Sequence, residues 1–357
     1  MRFNSRLGSL LLVLSIIPLA SLSAQAPPYA DANHMTIHVS VTARNGNPVE
    51  GLAKNDFALF DNKHEEPITG FQALSVTPTR VVIVLDAVNL PYSQVSFARQ
   101  QLEQFLSSNG GHLAQPTTLA VLQDQGMQIQ PGFTTDGNAL RASLDQFAIG
   151  LRALTRSGGF YGATERLEIS LTNFKMLVSK LPEDGRKQII WISPGWPLLS
   201  GAGVELTPAQ RTRAFNDVVA ITTELYRTNT FVDAVNPIGT VEDVGRTNFY
   251  QSFLHAPRSQ RDVDLGDLGL QVIAEQSGGM VLNGSNDISG LVQHAVAQSN
   301  GGYELTFAPA PGEHENEYHE LQVKVQRSGA KVHTTAGYYA RPAFPSGPLS
   351  VPVPAPR

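Results

Sequence analysis

The amino-acid sequence predicts an α/β fold in which a doubly wound, mostly parallel sheet is inserted into a discontinuous antiparallel β-sandwich. Residues 79–300 alternate apolar strand patterns with helical patterns, as parallel sheets with crossover helices do. The two flanks, residues 30–78 and 301–340, carry strand patterns only. Since each flank has too few strands to be stable alone, we expect the flanks to pair with each other.

The first flank opens with a strand in which every second residue is apolar, at Ile37, Val39 and Val41. Asn45-Gly46 follows this strand and is typical of a tight turn. Both flanks therefore predict antiparallel strands with one buried face. The further predicted strands of the flanks are 56–60, 68–74, 303–307, 321–325 and 331–338.

The strongest strand signals in the middle of the chain are two continuous apolar runs, RVVIVLD at 80–86 and RKQIIWIS at 186–193. Such runs are typical of central strands that are covered on both faces. Thr207 followed by Pro208 predicts a helix start, because threonine caps the first turn and proline fits its first position. The other predicted elements are helices at 91–106, 138–147, 163–181, 265–276 and 288–298 and strands at 117–122, 231–235 and 280–282.

Both ends of the chain are predicted to lie outside the fold. Residues 1–26 combine a basic start, a short apolar run and Ala24-Gln25-Ala26, which is typical of a signal peptide cleaved after Ala26. An uncleaved membrane anchor is the alternative, although the apolar run is short for a membrane span. We therefore expect a secreted or periplasmic protein with no membrane span after cleavage. Residues 341–357 are rich in proline and predict a disordered tail.

The composition excludes several classes of chemistry. The chain has 357 residues, a formal net charge of -5 and no cysteine. A net acidic chain argues against a nucleic-acid partner, which requires a basic face. Without cysteine there are no disulfides, no thiolate catalysis and no cysteine-ligated metal sites. A lipoprotein anchor is excluded for the same reason, because the lipid would be attached to a cysteine.

Several weak motifs occur in an order that resembles a known family. The segments are VTARNGNPVEGL at 41–52, NDF at 55–57, RVVIVLD at 80–86, QSGG at 276–279, YEL at 303–305, YHELQVKV at 318–325 and GYYA at 337–340. Over residues 35–340 the chain is similar to the VWFA-related family of secreted acidobacterial proteins. The resemblance implies a von Willebrand factor type A-like domain in the middle of the chain.

The resemblance also implies a candidate Mg²⁺ site at the carboxyl edge of the sheet, built on an Asp-x-Ser-x-Ser motif with a threonine and an aspartate from later loops. Asp86 matches the first position, but Val88 and Leu90 occupy the serine positions. Pro194 stands where the later aspartate is expected, next to Ser193. The loop at 157–163 has no threonine directly after its glycines. Asp86 and Ser193 alone are a degenerate site, so we expect no cofactor and a local capping role for Asp86.

No catalytic group of residues is evident, and we expect a protein that is not an enzyme. His314 and His319 lie in the acidic segment HENEYHE, which we place on a solvated hairpin loop. Asp262, Asp264 and Asp267 hint at calcium but lack the glycine and glutamate of a helix-loop-helix calcium loop. A hydrolase whose catalytic residues are dispersed along the sequence stays open as an alternative.

Two apolar segments are candidates for a protein-binding surface. The long connection 239–264 contains Phe249, Tyr250 and Phe253, and the loop after the second apolar run contains Trp196 and Leu198. Aromatic side chains are favoured at interface hot spots. We predict a metal-independent recognition surface for a protein partner whose identity the sequence leaves unknown. The alternatives are a short helix at 239–264 packed onto the domain, and Mg²⁺-dependent adhesion through Asp86.

Overall fold

A computed structural model describes residues 34–44, 47–74, 78–147, 159–201, 204–238, 248–299 and 301–342. The predicted signal peptide and nearly all of the predicted tail lie outside these ranges. The strands are β1 Met35–Thr42, β2 Phe57–Asp61, β3 His64–Glu66, β4 Gly70–Ala73, β5 Arg80–Asp86, β6 His112–Gln123, β7 Gly126–Ile129, β8 Thr134–Asp136, β9 Lys187–Ile192, β10 Thr230–Val235, β11 Val281–Leu282, β12 Tyr303–Phe307, β13 Glu317–Val325, β14 Lys331–Thr334 and β15 Gly337–Ala340. The α-helices are α1 Tyr92–Ser107, α2 Gly137–Gln146, α3 Gly159–Ser179, α4 Pro208–Arg227, α5 Leu270–Gln276 and α6 Ile288–Gln298.

A mostly parallel sheet forms the centre of the molecule, as the sequence predicts. Its order is β11-β10-β9-β5-β6-β7, with β8 also paired to β6. The strands from β11 to β6 run parallel, whereas β7 and β8 are antiparallel to β6. The chain builds one half of the sheet outward from β5 and then returns to build the other half from β9. The order therefore reverses between β5 and β9.

Strand β5 is buried because helices cover both of its faces. Val82 and Val84 join a hydrophobic cluster that contains residues of α3, α4 and α5. Val81, Ile83 and Leu85 join a second cluster with residues of α1, α2 and α6. The continuous apolar run in the sequence thus supplies two cores with alternate side chains.

Two antiparallel four-stranded sheets contain the strands of both flanks, in the orders β14-β1-β12-β4 and β15-β13-β2-β3. Residues from the start and the end of the chain pair directly, as in Ile37 opposite Leu305 and Leu59 opposite Val323. Side chains of both sheets meet in one hydrophobic cluster, which includes Ile37, Leu59 and Phe307. The predicted domain limits at 78/79 and 300/301 stay predictions.

Several elements differ from the sequence prediction. The predicted strand 331–338 is two strands, because Ala336 leaves the ladder and its N–H donates to Gln276 O at 2.9 Å. The predicted helix 265–276 is a 3-10 turn at 265–268 followed by α5, because Gly269 has an extended backbone. The antiparallel strands β3, β7 and β8 were not predicted. Within the described ranges, no helix has both the length and the apolar character needed to cross a membrane.

Candidate functional site

The carboxyl edge of the central sheet, where the strand order reverses, carries the two predicted metal ligands. Asp86 is the last residue of β5, and Ser193 directly follows β9. In open α/β sheets, ligands generally bind outside the carboxyl ends of the strands at such a point. The geometry of this edge therefore decides what the candidate site can bind.

The Asp86 carboxylate is fully buried and accepts four hydrogen bonds. One oxygen accepts from the backbone N–H groups of Val88 at 3.0 Å and Asn89 at 2.9 Å. The other oxygen accepts from Asn89 Nδ2 at 2.8 Å and Trp191 Nε1 at 2.9 Å. Four donors around one carboxylate satisfy it without a cation. Asp86 thereby fixes the turn that leads from β5 into α1.

Ser193 adds no open oxygen ligand to Asp86. Its side chain is buried, and its Oγ accepts from Gly195 N at 3.2 Å. Pro194 offers its carbonyl oxygen to Gln271 Nε2 at 3.1 Å. Among the described residues, no group of three or more histidine, aspartate or glutamate side chains could hold a metal ion.

Trp196 is buried against Trp191, the residue that donates to Asp86, which corrects the prediction that Trp196 is exposed. Gly195 has a φ of 112°, and this left-handed backbone turns the chain back over the sheet. Trp196 is 3% exposed, and its ring lies 5.3 Å from Trp191 and 5.5 Å from Phe174. Edge-to-face contacts of this kind are favourable between aromatic rings. The crevice at the strand reversal is therefore packed with aromatic side chains.

The aromatic residues of the 239–264 connection are also mostly buried. The structure describes this connection from residue 248, and residues 249–253 form a 3-10 turn. Tyr250 and Phe253 pack with Val272 of α5, and Leu198 is half-buried against them. The proposed recognition surface is thus wrong for Trp196, Tyr250 and Phe253. Of the five residues predicted for it, Phe249 is the exposed one, at 43%.

A different set of aromatic side chains is exposed at the same edge. Tyr92 lies at the start of α1, which follows the carboxyl end of β5. Phe160 and Tyr161 lie at the start of α3, and because α3 leads down to the amino end of β9, its start is at the carboxyl edge. Tyr161 is 82% exposed. With Phe249, these residues are the exposed large hydrophobic side chains of the described chain, and we call them the aromatic edge.

Sequence reasoning missed three members of the aromatic edge. Tyr92, Phe160 and Tyr161 each occupy the first turn of a helix, where an aromatic side chain has no earlier helical turn to pack on. That position, directly at the carboxyl edge of a predicted parallel sheet, was the available signal. Residues 148–158, which precede α3, lie outside the described ranges and include the first two residues of the predicted threonine loop, whereas residues 159–163 of that loop form the start of α3.

His319 belongs to a buried polar cluster, which corrects its placement on a solvated loop. It lies in β13, and its Nδ1 is 2.9 Å from an Asp61 carboxylate oxygen. Tyr338 donates its hydroxyl to the other Asp61 oxygen at 2.6 Å, and burial together with this bond raises the pKa of Tyr338. The three side chains come from the paired strands β2, β13 and β15. The cluster links these strands and is directed into their core.

The three aspartates of the predicted acidic loop do not converge on one point. Asp262 accepts from Ser259 Oγ, and Asp264 accepts from Gly266 N and Ser200 Oγ. The Asp267 carboxylate accepts from Asp264 N at 2.7 Å. The bonds of Asp264 and Asp267 cap the 3-10 turn at 265–268, whereas Asp262 bonds within the preceding segment, so the aspartates have separate roles.

Comparison with known proteins yields structural neighbours and no relatives in sequence. No protein-family profile matches the chain, and no curated protein matches its sequence. Among solved structures, 89 chains match it. Proximal thread matrix protein 1 from the mussel byssus has 10% identity and a TM-score of 0.33, over 64% of this chain and 50% of the mussel chain. The chain therefore matches half the length of that protein.

Two further neighbours match over nearly their whole length. The manganese-loaded TRAP protein of Plasmodium vivax has 10% identity and a TM-score of 0.32, over 78% of this chain and 97% of the TRAP chain. The N-terminal domain of TFIIH p34 has 16% identity and a TM-score of 0.30, over 61% of this chain and 96% of that domain. At these TM-scores the neighbours do not indicate what this chain binds.

Proposed function

We propose that the chain is a protein-interaction module in which a von Willebrand factor A-like α/β unit is carried by a β-sandwich formed from the two flanks. The strand order, reversing between β5 and β9 with an antiparallel strand at one edge, supports the A-like assignment. The pairing of β1 with β12 and of β2 with β13 supports the sandwich. The module is non-enzymatic and, from its signal-like residues 1–26, secreted or periplasmic.

The aromatic edge is the observation that carries this proposal. Four exposed aromatic side chains lie along this edge, and two of them, Phe160 and Tyr161, contact each other with ring centroids 6.3 Å apart. Exposed apolar side chains are characteristic of protein contact sites, and aromatic residues are enriched among the residues that contribute most to binding there. We propose that this edge contacts a protein partner through Tyr92, Phe160, Tyr161 and Phe249.

Partner contact at this edge is proposed to be independent of metal. Asp86 already accepts four hydrogen bonds, and Mg²⁺ prefers several oxygen ligands in an open octahedral arrangement. Mg²⁺-dependent adhesion through Asp86 is the competing function. Calorimetric titration of the folded chain with Mg²⁺, Mn²⁺ and Ca²⁺ separates the two. Saturable heat that disappears in Asp86→Asn would support the metal-dependent alternative.

The test of the aromatic edge is capture of envelope proteins by the mature chain and by a Tyr92→Ser/Phe160→Ser/Tyr161→Ser variant. The parent is expected to retain a defined partner that the triple variant loses. Lys180→Ser is the matched control, because Lys180 is exposed at the opposite end of α3. The triple variant should unfold within about 1 kcal/mol of the parent, since the substituted residues are exposed. Equal capture by all three proteins would refute the assignment of this edge.

A further inference from the structure

A second candidate site is a cleft between the α/β unit and the flanking strands. It lies between α4 and α5, over the start of β10, and strand β1 closes one side. Its cavity volume is about 40 Å³, so the cleft is narrow, and the empty space reaches about 710 Å³ only when the open mouth is counted. The cleft lies near the amino end of β10, whereas the aromatic edge lies at the carboxyl ends of the strands, so the two sites are at opposite edges of the sheet.

The walls of the cleft are mostly apolar and the cleft is elongated. Helix α4 lines it from Val218 to Tyr226, which corresponds to about 12 Å of helical rise. The apolar side chains that line it are Ile37, Val218, Ile221, Leu225, Phe231, Leu268 and Ile273. Neither lysine nor arginine is among the described lining residues. An anionic ligand would therefore find no countercharge in the cleft.

One end of the cleft carries a buried carboxylate without a cationic partner. Asp267 is 6% exposed, and no ion pair involves it among the described residues. Its Oδ2 accepts a hydrogen bond from Asp264 N at 2.7 Å. Burial is the main cause that raises the pKa of Asp267 to about 7, and the negative charge of Asp264 contributes to the same shift. A buried carboxylate of this kind is stabilised by a bound cation.

The other end of the cleft carries an unpartnered hydrogen-bond donor. Gln276 is the last residue of α5, and its Nε2 is buried without a partner among the described residues. Helix α5 separates Gln276 from Asp267 by about 10 Å of helical rise. A buried amide without a partner costs free energy, which a ligand oxygen would recover.

The charged groups around Asp267 are compatible with a cation. Glu275 lies on α5, and burial raises its pKa as well. Tyr339 and Tyr226 are neutral phenols whose pKa values are raised by burial. The pKa of His38, at the Phe231 end, is lowered well below its usual range by burial and by Arg186, so that ring is uncharged at neutral pH. Arg186 lies at the Phe231 end, with its guanidinium carbon 5.6 Å from the centre of the Phe231 ring.

We propose that this cleft binds a small linear organic ammonium ion, with its ammonium group at Asp267, an apolar chain along α4 and an oxygen at Gln276. Each part of the ligand matches one feature of the cleft. The ammonium group of the ligand supplies the charge opposite to that of Asp267. Its hydrocarbon chain covers the apolar wall of the cleft, and its oxygen accepts a hydrogen bond from Gln276 Nε2. The site is independent of the aromatic edge, so either proposal can fail while the other stands.

The experiment measures the binding of aminohexanol, which is protonated at neutral pH, against uncharged hexanediol by calorimetry on the mature chain. Aminohexanol is expected to bind saturably and at least about tenfold more tightly, since a hydrogen bond between two charged groups is stronger than one between neutral groups. Asp267→Asn should abolish this preference while leaving an oxygen to accept from Asp264 N. The parent should also bind aminohexanol more tightly than hexylamine, which lacks the hydroxyl. Gln276→Leu should bind aminohexanol and hexylamine with equal affinity.

Two further measurements test the proposal even if Asp267→Asn or Gln276→Leu does not fold. Thr222→Phe narrows the cleft without touching Asp267 and should weaken both probes. The affinity of the parent for aminohexanol should rise as the pH increases through about 7, where Asp267 loses its proton, and the affinity of Asp267→Asn should not. Equal binding of aminohexanol and hexanediol by the parent, or no saturable binding at millimolar concentration, would overturn the proposal.

Discussion

Trp196 is a core residue although the sequence predicted it to lie on the surface. We expect Trp196→Ala to lower the free energy of unfolding by about 3–5 kcal/mol, because it leaves a cavity between Phe174 and Trp191. Phe249→Ala is the matched control, and its exposed ring should cost less than about 1 kcal/mol. Urea unfolding followed by circular dichroism measures both. A Trp196 effect as small as that of Phe249 would contradict the buried placement.

Local sequence could not place Trp196, because its burial depends on Phe174 of α3 and on the turn at Gly195 that brings it over Trp191. The run SPGWPLL has the appearance of an exposed loop, with proline and glycine around one aromatic residue. Phe174 on α3 and Trp191 on β9 bury it, and neither contact has a signal in that run. Asp86 was easier to predict, since a carboxylate at a strand end usually finds the backbone N–H groups of the next turn. His319 was misplaced because Asp61 lies far away in sequence.

The start of helix α4 was predicted from the sequence and is stabilised by a capping box. Thr207 accepts from Gln210 N at 3.3 Å, Gln210 Oε1 accepts from Thr207 N at 2.9 Å, and Pro208 occupies the first helical position. Thr207→Ala should therefore cost about 1 kcal/mol in the free energy of unfolding. Thr164→Ala is the control, because Thr164 is inside α3 and bonds only to the Phe160 carbonyl of its own helix. If both variants unfold alike, the cap has no role in stability.

The buried strands and longer helices were predictable because their periodicity is set by burial on one or two faces. The strands that were missed, β3, β7 and β8, are short and lie largely outside the core, so their composition resembles that of a turn. Strands β7 and β8 both pair with β6, which is long enough for both because it runs from His112 to Gln123. The predicted helix 265–276 is interrupted at Gly269, whose backbone is extended. The helical pattern of the residues on either side gave no indication of this interruption.

Arg186 joins the central sheet to the flanking strands through buried hydrogen bonds. It is 4% exposed and lies directly before β9. Its guanidinium donates to Thr79 Oγ1, to the carbonyls of Ser299 and Gly301 and to the ring of His38 in β1. Burial lowers the pKa of Arg186 to about 10, so it remains charged at neutral pH. One side chain thus bonds to both segments through which the chain enters and leaves the central sheet.

We expect Arg186→Met to lower the free energy of unfolding by about 2–4 kcal/mol, because the buried carbonyls and hydroxyl that it contacts would lose their donor. Methionine retains much of the apolar volume, so the change tests the hydrogen bonds more than the packing. Arg80→Met is the matched control, since Arg80 pairs with the exposed Asp184 at 2.9 Å and such pairs contribute less than about 1 kcal/mol. Scanning calorimetry should also show the single heat-unfolding transition of the parent broadening or dividing in Arg186→Met. A variant that keeps one sharp transition at the parent temperature would show that the two parts are joined by packing alone.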